Sequence, residues 1–464
     1  MTPQSAVKSS RAFRATELAE RTVHRRAIEA IIWGMPAVNV DLMYQAMARN
    51  TEGRYNDITY WSRLPDWKIQ TLTPNPDAIY LTPYFNTAEE GPMVIEIPPA
   101  DDGSITGTVM DCWQSPLEDV GPAGVDKGKG GKYAILPPGY KDKAPEGYIA
   151  LPCDTFTGYA LLRSIPKSGS DADVARAVAY GKRIRVYPLS QAAKPSATKF
   201  IDVVDIVYDS TIRYDVSFFE SLNRVIQTEP WLTRDKVMID YLKSIGIEKG
   251  KPFNPDGRTR KILNDAAREA HDWLVHRYEE SFSSSYDGGT RWTLPALRQV
   301  IEGQETFFAN PDVYPIDDRG VAYTYAYFCP KHMGAGSSYL LTIADKNGQL
   351  LDGGATYRLR VPPNPPVRQY WSATVYDRST HAPIRNAQWP SRSSQTPGLQ
   401  KNADGSADIY LGPTAPAGKE SNWVPTSASG GFEVLFRFYG PEKPLFDKTW
   451  VLPDIEKIGR LETR

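Results

Sequence analysis

The feature of this sequence that most constrains its fold is the segregation of two strand-like stretches around a helical one. In the first stretch, apolar or alternating runs occupy 78–85, 93–97, 105–112, 133–136 and 159–162. In the second they occupy 339–343, 356–361, 371–376, 408–411 and 432–439. Runs of this length, bounded by Pro, Gly and Asp, are strands of a sandwich or barrel. The segment 402–406 (NADGS) supplies the turn chemistry of a hairpin.

Between the two stretches, apolar residues recur at helical spacing. Helical texture begins at 171–186 and continues over 216–307, with one stripe formed by Phe218, Phe219, Leu222, Val225 and Ile226. Residues 15–50 carry the same period, and Gly34 and Pro36 predict a break into two amphipathic helices. Strands and helices are segregated rather than alternating, which disfavours a parallel α/β sheet. The 38 Pro and 35 Gly, most of them at strand ends, fit the same picture. The expected class is therefore mainly β with α (α+β): two antiparallel β-sandwich or jelly-roll-like modules joined by a helical segment. The expected domains are N-terminal helices at 1–50, a β module at 51–200, a helical bridge at 201–310 and a second β module at 311–464.

Composition narrows the function. Lys and Arg number 54 against 55 Asp and Glu, with no long run of one sign, so nucleic acid is not an expected partner. The short basic cluster Lys182, Arg183 and Arg185 alternates with Ile184 and Val186 and is expected to be a solvated face. Cys112, Cys153 and Cys329 follow no metal or redox spacing, and three cysteines cannot make a disulfide framework. No window reaches the roughly 20 apolar residues of a membrane-spanning helix. As written, the start lacks the apolar region of a signal peptide, so a cytoplasmic location is expected, or a periplasmic or secreted one if a leader has been removed.

Several strand-end motifs carry a family resemblance. They include LTPNPDAIY at 72–80, GPMVIEIP at 91–98, PKHMG at 330–334 and LDGGATYRLRV at 351–361. KNADGSADIYLGP at 401–413, SNWVP at 421–425, FRFYGP at 436–441 and FDKTWVLPDIEK at 446–457 add to it. Together they resemble the bacterial proteins that pair two domains of unknown function, DUF1254 followed by DUF1214. The resemblance implies two β-sandwich or jelly-roll-like modules flanked by helices in a homo-oligomer, and it implies no reaction. One departure stands out. Where the family has two adjacent Asn before the Asp, this chain has Asn75-Pro76-Asp77, and Pro removes an N–H and fixes φ.

Metal and cofactor chemistry find little to rest on. Of the five His, His271 and His276 lie about 140° apart around one helix and do not share an ion. Zincin, Walker, dinucleotide and Gly-x-Ser-x-Gly fingerprints are missing, so no metal and no cofactor are expected. Asp345, Asn347 and Asp404 have turn chemistry more than that of a calcium loop. Ser337 and Ser338 follow Gly336 and are expected in a turn.

Three clusters can carry chemistry. Lys331 and His332 sit in a loop after an aromatic run, where His332 could act as a general base and Lys331 could hold an anion. The alternative is a loop pair that caps a sheet. Asn75, Asp77 and Tyr80 place an acid and a phenol together, the alternative being an Asx turn with a packed Tyr. Asn422 and Trp423 with Arg437 and Tyr439 could form a platform for a sugar or a carboxylate, the alternative being core packing. Two functions follow. One is a cofactor-independent hydrolase or lyase acting on a small organic or saccharide substrate in a cleft between the modules. The other is a non-catalytic ligand-binding or structural oligomeric protein. The enzyme requires the loops around Asp77 and His332 to meet in one pocket.

Overall fold

The computed structural model describes residues 13–295, 297–327, 330–332 and 336–459. Two β sandwiches are built against a helical layer. In the N-terminal sandwich a six-stranded sheet runs in the order Phe200–Asp202, Ile58–Tyr60, Ile79–Asn86, Thr157–Ser164, Ile105–Asp111, Pro116–Val120. A four-stranded sheet, Arg185–Pro188, Met93–Ile97, Gly131–Leu136, Tyr148–Pro152, packs on it. Ile79, Leu81, Phe85 and Leu162 of the first sheet meet Ile95, Ile135 and Val186 of the second in one apolar core. The C-terminal sandwich pairs the sheet Ser337–Thr342, Phe432–Pro441, Val367–Asp377, Ser391–Ser393 with the sheet Trp423–Pro425, Ala407–Gly412, Thr356–Val361, Glu456–Ile458. Most neighbours are antiparallel, and a few short edge pairings, such as 131–136 with 148–152, are parallel. The chain is thus α+β, with two sandwich modules and helices between and beside them.

The predicted break at Gly34 and Pro36 does not occur. A single helix runs Ala15–Ala48 with Pro36 inside it. A mid-helix Pro costs about 3 kcal/mol, and packing offsets this here. Residues 30–40 are buried without interruption, as expected of a helix with apolar contacts on every side. The helix packs against Val216–Thr228, Gly257–Glu280 and Ile316–Tyr325. Gly34 serves that contact: a Cβ there would lie 3.0 Å from Leu222 Cδ1. Gln114 Nε2 donates to the Pro36 carbonyl at 2.8 Å and ties the helix to the first sandwich.

Smaller differences follow from pairing partners that linear order does not name. Helix Asp171–Gly181 ends before Lys182, and 185–188 forms a strand. The turn at 402–406 forms, with Asn402 N–H on the Ser406 carbonyl at 2.7 Å, but it closes no hairpin. The strand that follows it pairs with 356–361 and 423–425 instead. Ser337 and Ser338 begin a strand. Cys112 and Cys153 are buried free thiols, and Cys329 lies outside the described residues. Among the described residues no helix is long and apolar enough to cross a membrane.

Candidate functional site

Alternation along four strands builds a cavity between the two sandwiches. Residues two apart on a strand share a face. In Ile79–Asn86 the odd positions Ile79, Leu81 and Phe85 fill the first core, so Tyr80, Thr82 and Tyr84 face the other way. In Thr157–Ser164 the residues Ala160 and Leu162 point to that core, while Leu161 and Arg163 face the cavity. The C-terminal module repeats the arrangement: Leu340, Val434, Phe436 and Phe438 belong to its core, and Tyr339, Leu341, Leu435 and Arg437 face the cavity. The cavity is partly open to solvent, and its volume is about 80 Å³.

Each module contributes one cross-strand Tyr/Arg pair to this space. Tyr80 lies opposite Arg163 in the first sheet, and Tyr339 lies opposite Arg437 in the second. The two guanidinium groups differ in their state. Arg437 is 2 % exposed and its donors are spent on protein acceptors. Nη1 donates to Thr374 Oγ1 at 2.8 Å, and Nη2 donates to the Thr73 carbonyl at 2.8 Å, to the Pro74 carbonyl at 3.3 Å and to Tyr376 Oη at 2.6 Å. Arg163 Nε, by contrast, is shut off from solvent with no hydrogen-bond partner. The charge's neighbours are the phenols of Tyr80, Tyr439 and Tyr339 rather than a carboxylate. Burial works to lower its pKa and these phenols more than offset that, so Arg163 remains a cation.

Residues 71–75 of the loop 71–77 form one wall of the cavity between the modules. Asn75 Nδ2 donates to Tyr370 Oη at 2.7 Å and to Tyr439 Oη at 2.8 Å, and Asn75 N–H donates to Tyr80 Oη at 2.7 Å. Asn75 Oδ1 accepts from Asp77 N–H at 3.0 Å, which is an Asx turn. That turn uses the N–H of the second residue on, so Pro76, which has none, fits between. Tyr376 donates to the Pro74 carbonyl. Thr73 N–H donates to the His381 carbonyl at 2.7 Å, and Nδ1 of His381 lies 3.0 Å from both Glu433 oxygens.

Asp77 does not line the cavity. Ser391 Oγ donates to its Oδ2 at 2.9 Å, and burial pushes its carboxyl above the ordinary value against the pull of Ser391, Ser393, Arg437 and Arg392. A raised carboxyl contributes stability that is complete below the ordinary value near about 4 and is lost as pH rises through the raised one. Asp77→Asn, neutral throughout, is therefore expected to match wild type near pH 4 and to exceed it at pH 7–8. Every tenfold difference in proton affinity between the folded and unfolded chain widens the gap by about 1.4 kcal/mol. Paired denaturation curves across that range would show parallel profiles if burial did not govern this group.

The other residues singled out from sequence lie elsewhere. His332 Nε2 is 3.0 Å from Glu118 Oε1, and its N–H donates to Asp119 Oδ2 at 2.8 Å. Lys331 Nζ donates to the Leu117 carbonyl at 2.9 Å and meets Glu118 Oε2 at 3.3 Å. The pair thereby clasps the second module to the Pro116–Val120 edge strand of the first. Its partners are on that strand, and none is in the Asp77 loop. Asn422 is 2 % exposed and bridges Gln400 to the Asp408 carbonyl. Trp423 Nε1 donates to the Gly412 carbonyl at 2.8 Å, and its ring meets Trp389 edge-on. Both hold the outer sheet of the C-terminal sandwich together. Asp345 and Asp404 accept backbone N–H groups within their own turns. The structure thus brings Asn75, Tyr80, Arg437 and Tyr439 together and leaves Lys331, His332, Asn422 and Trp423 apart from them.

Arg163 and Tyr339 were not legible as site residues. A signal was present for Arg163: it continues the alternation of YALLRS as a charge on the face opposite Leu162. Chemically, the lining offers cations and neutral donors. Burial holds the phenols of Tyr84, Tyr208, Tyr325 and Tyr327 above their ordinary range. Among the described lining residues there is no imidazole, thiol, amine or carboxylate.

Comparison with known proteins places this geometry in a family. A model described as "Protein of unknown function (DUF1254)" matches residues 55–188, and one described as "Protein of unknown function (DUF1214)" matches 336–443. No curated protein matches the sequence. The crystal structure of the VPA0106 protein from Vibrio parahaemolyticus is similar over 94 % of this chain and 100 % of its own, with a TM-score of 0.58 and 18 % identity, a likeness of fold alone. An uncharacterised protein from Burkholderia cenocepacia aligns over 96 % of this chain and 99 % of its own, with a TM-score of 0.43 and 12 % identity. With both sandwiches matched in order along the chain, this protein belongs to the family that pairs an N-terminal DUF1254 with a C-terminal DUF1214.

Proposed function

We propose that the protein binds a small organic anion in the cavity between its two sandwiches, with Arg163 receiving the anionic group. The observation that carries this reading is the state of Arg163: a cation at a cavity wall, without a carboxylate partner and with one N–H unmet. A buried charge is costly unless it is paired and hydrogen-bonded. An anion entering the cavity supplies both the counter-charge and the acceptor, and planar guanidinium groups suit carboxylates.

A hydrolase or lyase draws less support from this geometry. General acid–base catalysis wants a group whose pKa lies near the working pH, and the lining described above offers none. A saccharide is also a poorer fit, because guanidinium and phenol donors with leucine walls match an anion better than a hydroxyl-rich ring.

The test is thermal unfolding with sodium acetate, sodium chloride at matched ionic strength, and ethanol at matched concentration. Acetate is expected to stabilise wild type, by about 2.7 kcal/mol at a hundred times its Kd, while leaving Arg163→Met at its chloride value. Equal stabilisation of the two proteins by acetate, or equal effects of acetate and ethanol on wild type, would count against the reading.

A further inference from the structure

We infer that the ligand is a short aliphatic monocarboxylate of about three to five non-hydrogen atoms, a size set by scaling from cavities that accept benzene. This inference rests on the anion reading above and adds size, charge number and orientation.

Size comes from the volume. A cavity of 150 Å³ lined by apolar side chains accepts benzene, six carbons, and the cavity here is about 80 Å³. Roughly half of benzene's space is about three non-hydrogen atoms by simple proportion, a carboxylate group with at most a carbon or two beyond it. Close-packed walls do not yield readily to a larger guest.

Charge number follows from the contrast between the two arginines. The Arg437 guanidinium is already committed to Thr374, Tyr376 and the carbonyls of Thr73 and Pro74. Arg163 is then the one cation in the described lining with an unmet donor. A dicarboxylate would have to bury its second charge without a partner.

Orientation is written into the strand register. Tyr339 and Arg437 form one cross-strand pair, and Leu341 and Leu435 form the pair two residues along. On the facing sheet Arg163 and Leu161 stand in the same relation, two residues apart on one strand. Each sheet therefore carries a polar rank and, two residues along, leucine: Leu161 beside Thr82 on one sheet, and Leu341 with Leu435 on the other. At the far side of the cavity the hydroxyls are engaged with the protein. Tyr208 donates to the Met43 carbonyl at 2.6 Å, so in its 2.6 Å contact with Tyr84 the proton comes from Tyr84. A carboxylate on Arg163 with its alkyl end on Leu161, Leu341 and Leu435 matches both ranks.

The experiment is isothermal titration of wild type with formate, acetate, propionate, hexanoate, benzoate and succinate, with thermal melts of every variant as a folding control. Acetate and propionate are expected to bind at least tenfold more tightly than hexanoate, benzoate and succinate. Leu161→Ala, which lengthens the apolar end, is expected to shift the preference toward hexanoate. Arg163→Met is expected to abolish binding throughout. Tighter binding of hexanoate, benzoate or succinate that still needs Arg163 would overturn the short-chain inference and leave the anion reading standing. Failure of every carboxylate to bind a folded wild type would overturn both.

Discussion

Replacing Arg437 by Met is expected to destabilise the protein by about 3–5 kcal/mol, the range for removing one member of a buried charged network. Its guanidinium satisfies Thr374 Oγ1, Tyr376 Oη and two backbone carbonyls of the 71–77 loop, and it is 2 % exposed, so water does not replace it. A buried acceptor left without a donor costs about 1–3 kcal/mol; the Thr73 carbonyl and two hydroxyls lose theirs at once, while the Pro74 carbonyl keeps only Tyr376. Arg437→Lys is expected to recover only part of the loss, since an ammonium on a flexible stem cannot reproduce the planar fork. Denaturant titration of the three proteins measures this directly. A loss below about 1 kcal/mol for Arg437→Met, within the scatter of ordinary substitutions, would mean that the loop finds other donors.

Arg163→Met has the opposite expected sign. In carboxylate-free buffer the variant should be as stable as wild type or more stable, by about 1–2 kcal/mol, because an apolar side chain of similar length relieves a part-buried cation that has only the Tyr80 ring and phenols beside it and an Nε without an acceptor. A residue that costs stability yet completes a site is the usual signature of function traded against folding. Two arginines, each opposite a tyrosine on a β sheet, thus differ in their state: one is satisfied by the walls it holds together, and the other is the one proposed to receive an anion. A loss of more than about 2 kcal/mol in Arg163→Met, a large single-substitution effect, would make Arg163 a structural residue and remove the basis of the anion site.

Much of the fold could be read from the chain. The runs at 93–97 and 356–361 match their strands end to end, and those at 105–112, 339–343 and 432–439 fall within one or two residues of theirs. Alternation and turn residues are local, and so is the information that sets a strand. Gly34 and Pro36 misled for the converse reason. A helix break is a local preference worth about 3 kcal/mol, and burial of the whole 30–40 segment in a helix packed by several others overrides it. The turn at 402–406 gave its own geometry correctly and its strand partners wrongly, since pairing is a long-range choice.

The site divides along the same line. Asn75, Tyr80, Arg437 and Tyr439 could be picked out because each belongs to a polar or aromatic motif at a strand end, and the fold gathers them. Lys331 and His332 met the same criterion, yet the acids that claim them, Glu118 and Asp119, stand more than 200 residues earlier in the chain. No local pattern announces that contact. The sequence by itself determined which residues alternate into each face, the two-module organisation and the family. Only the tertiary structure decided that the outer faces of two separate sheets meet at Arg163 and Arg437, and that one of these charges is satisfied while the other is not. Periodicity reports which way a side chain points from its own strand, whereas hydrogen-bond satisfaction depends on atoms that docking alone brings within 3 Å.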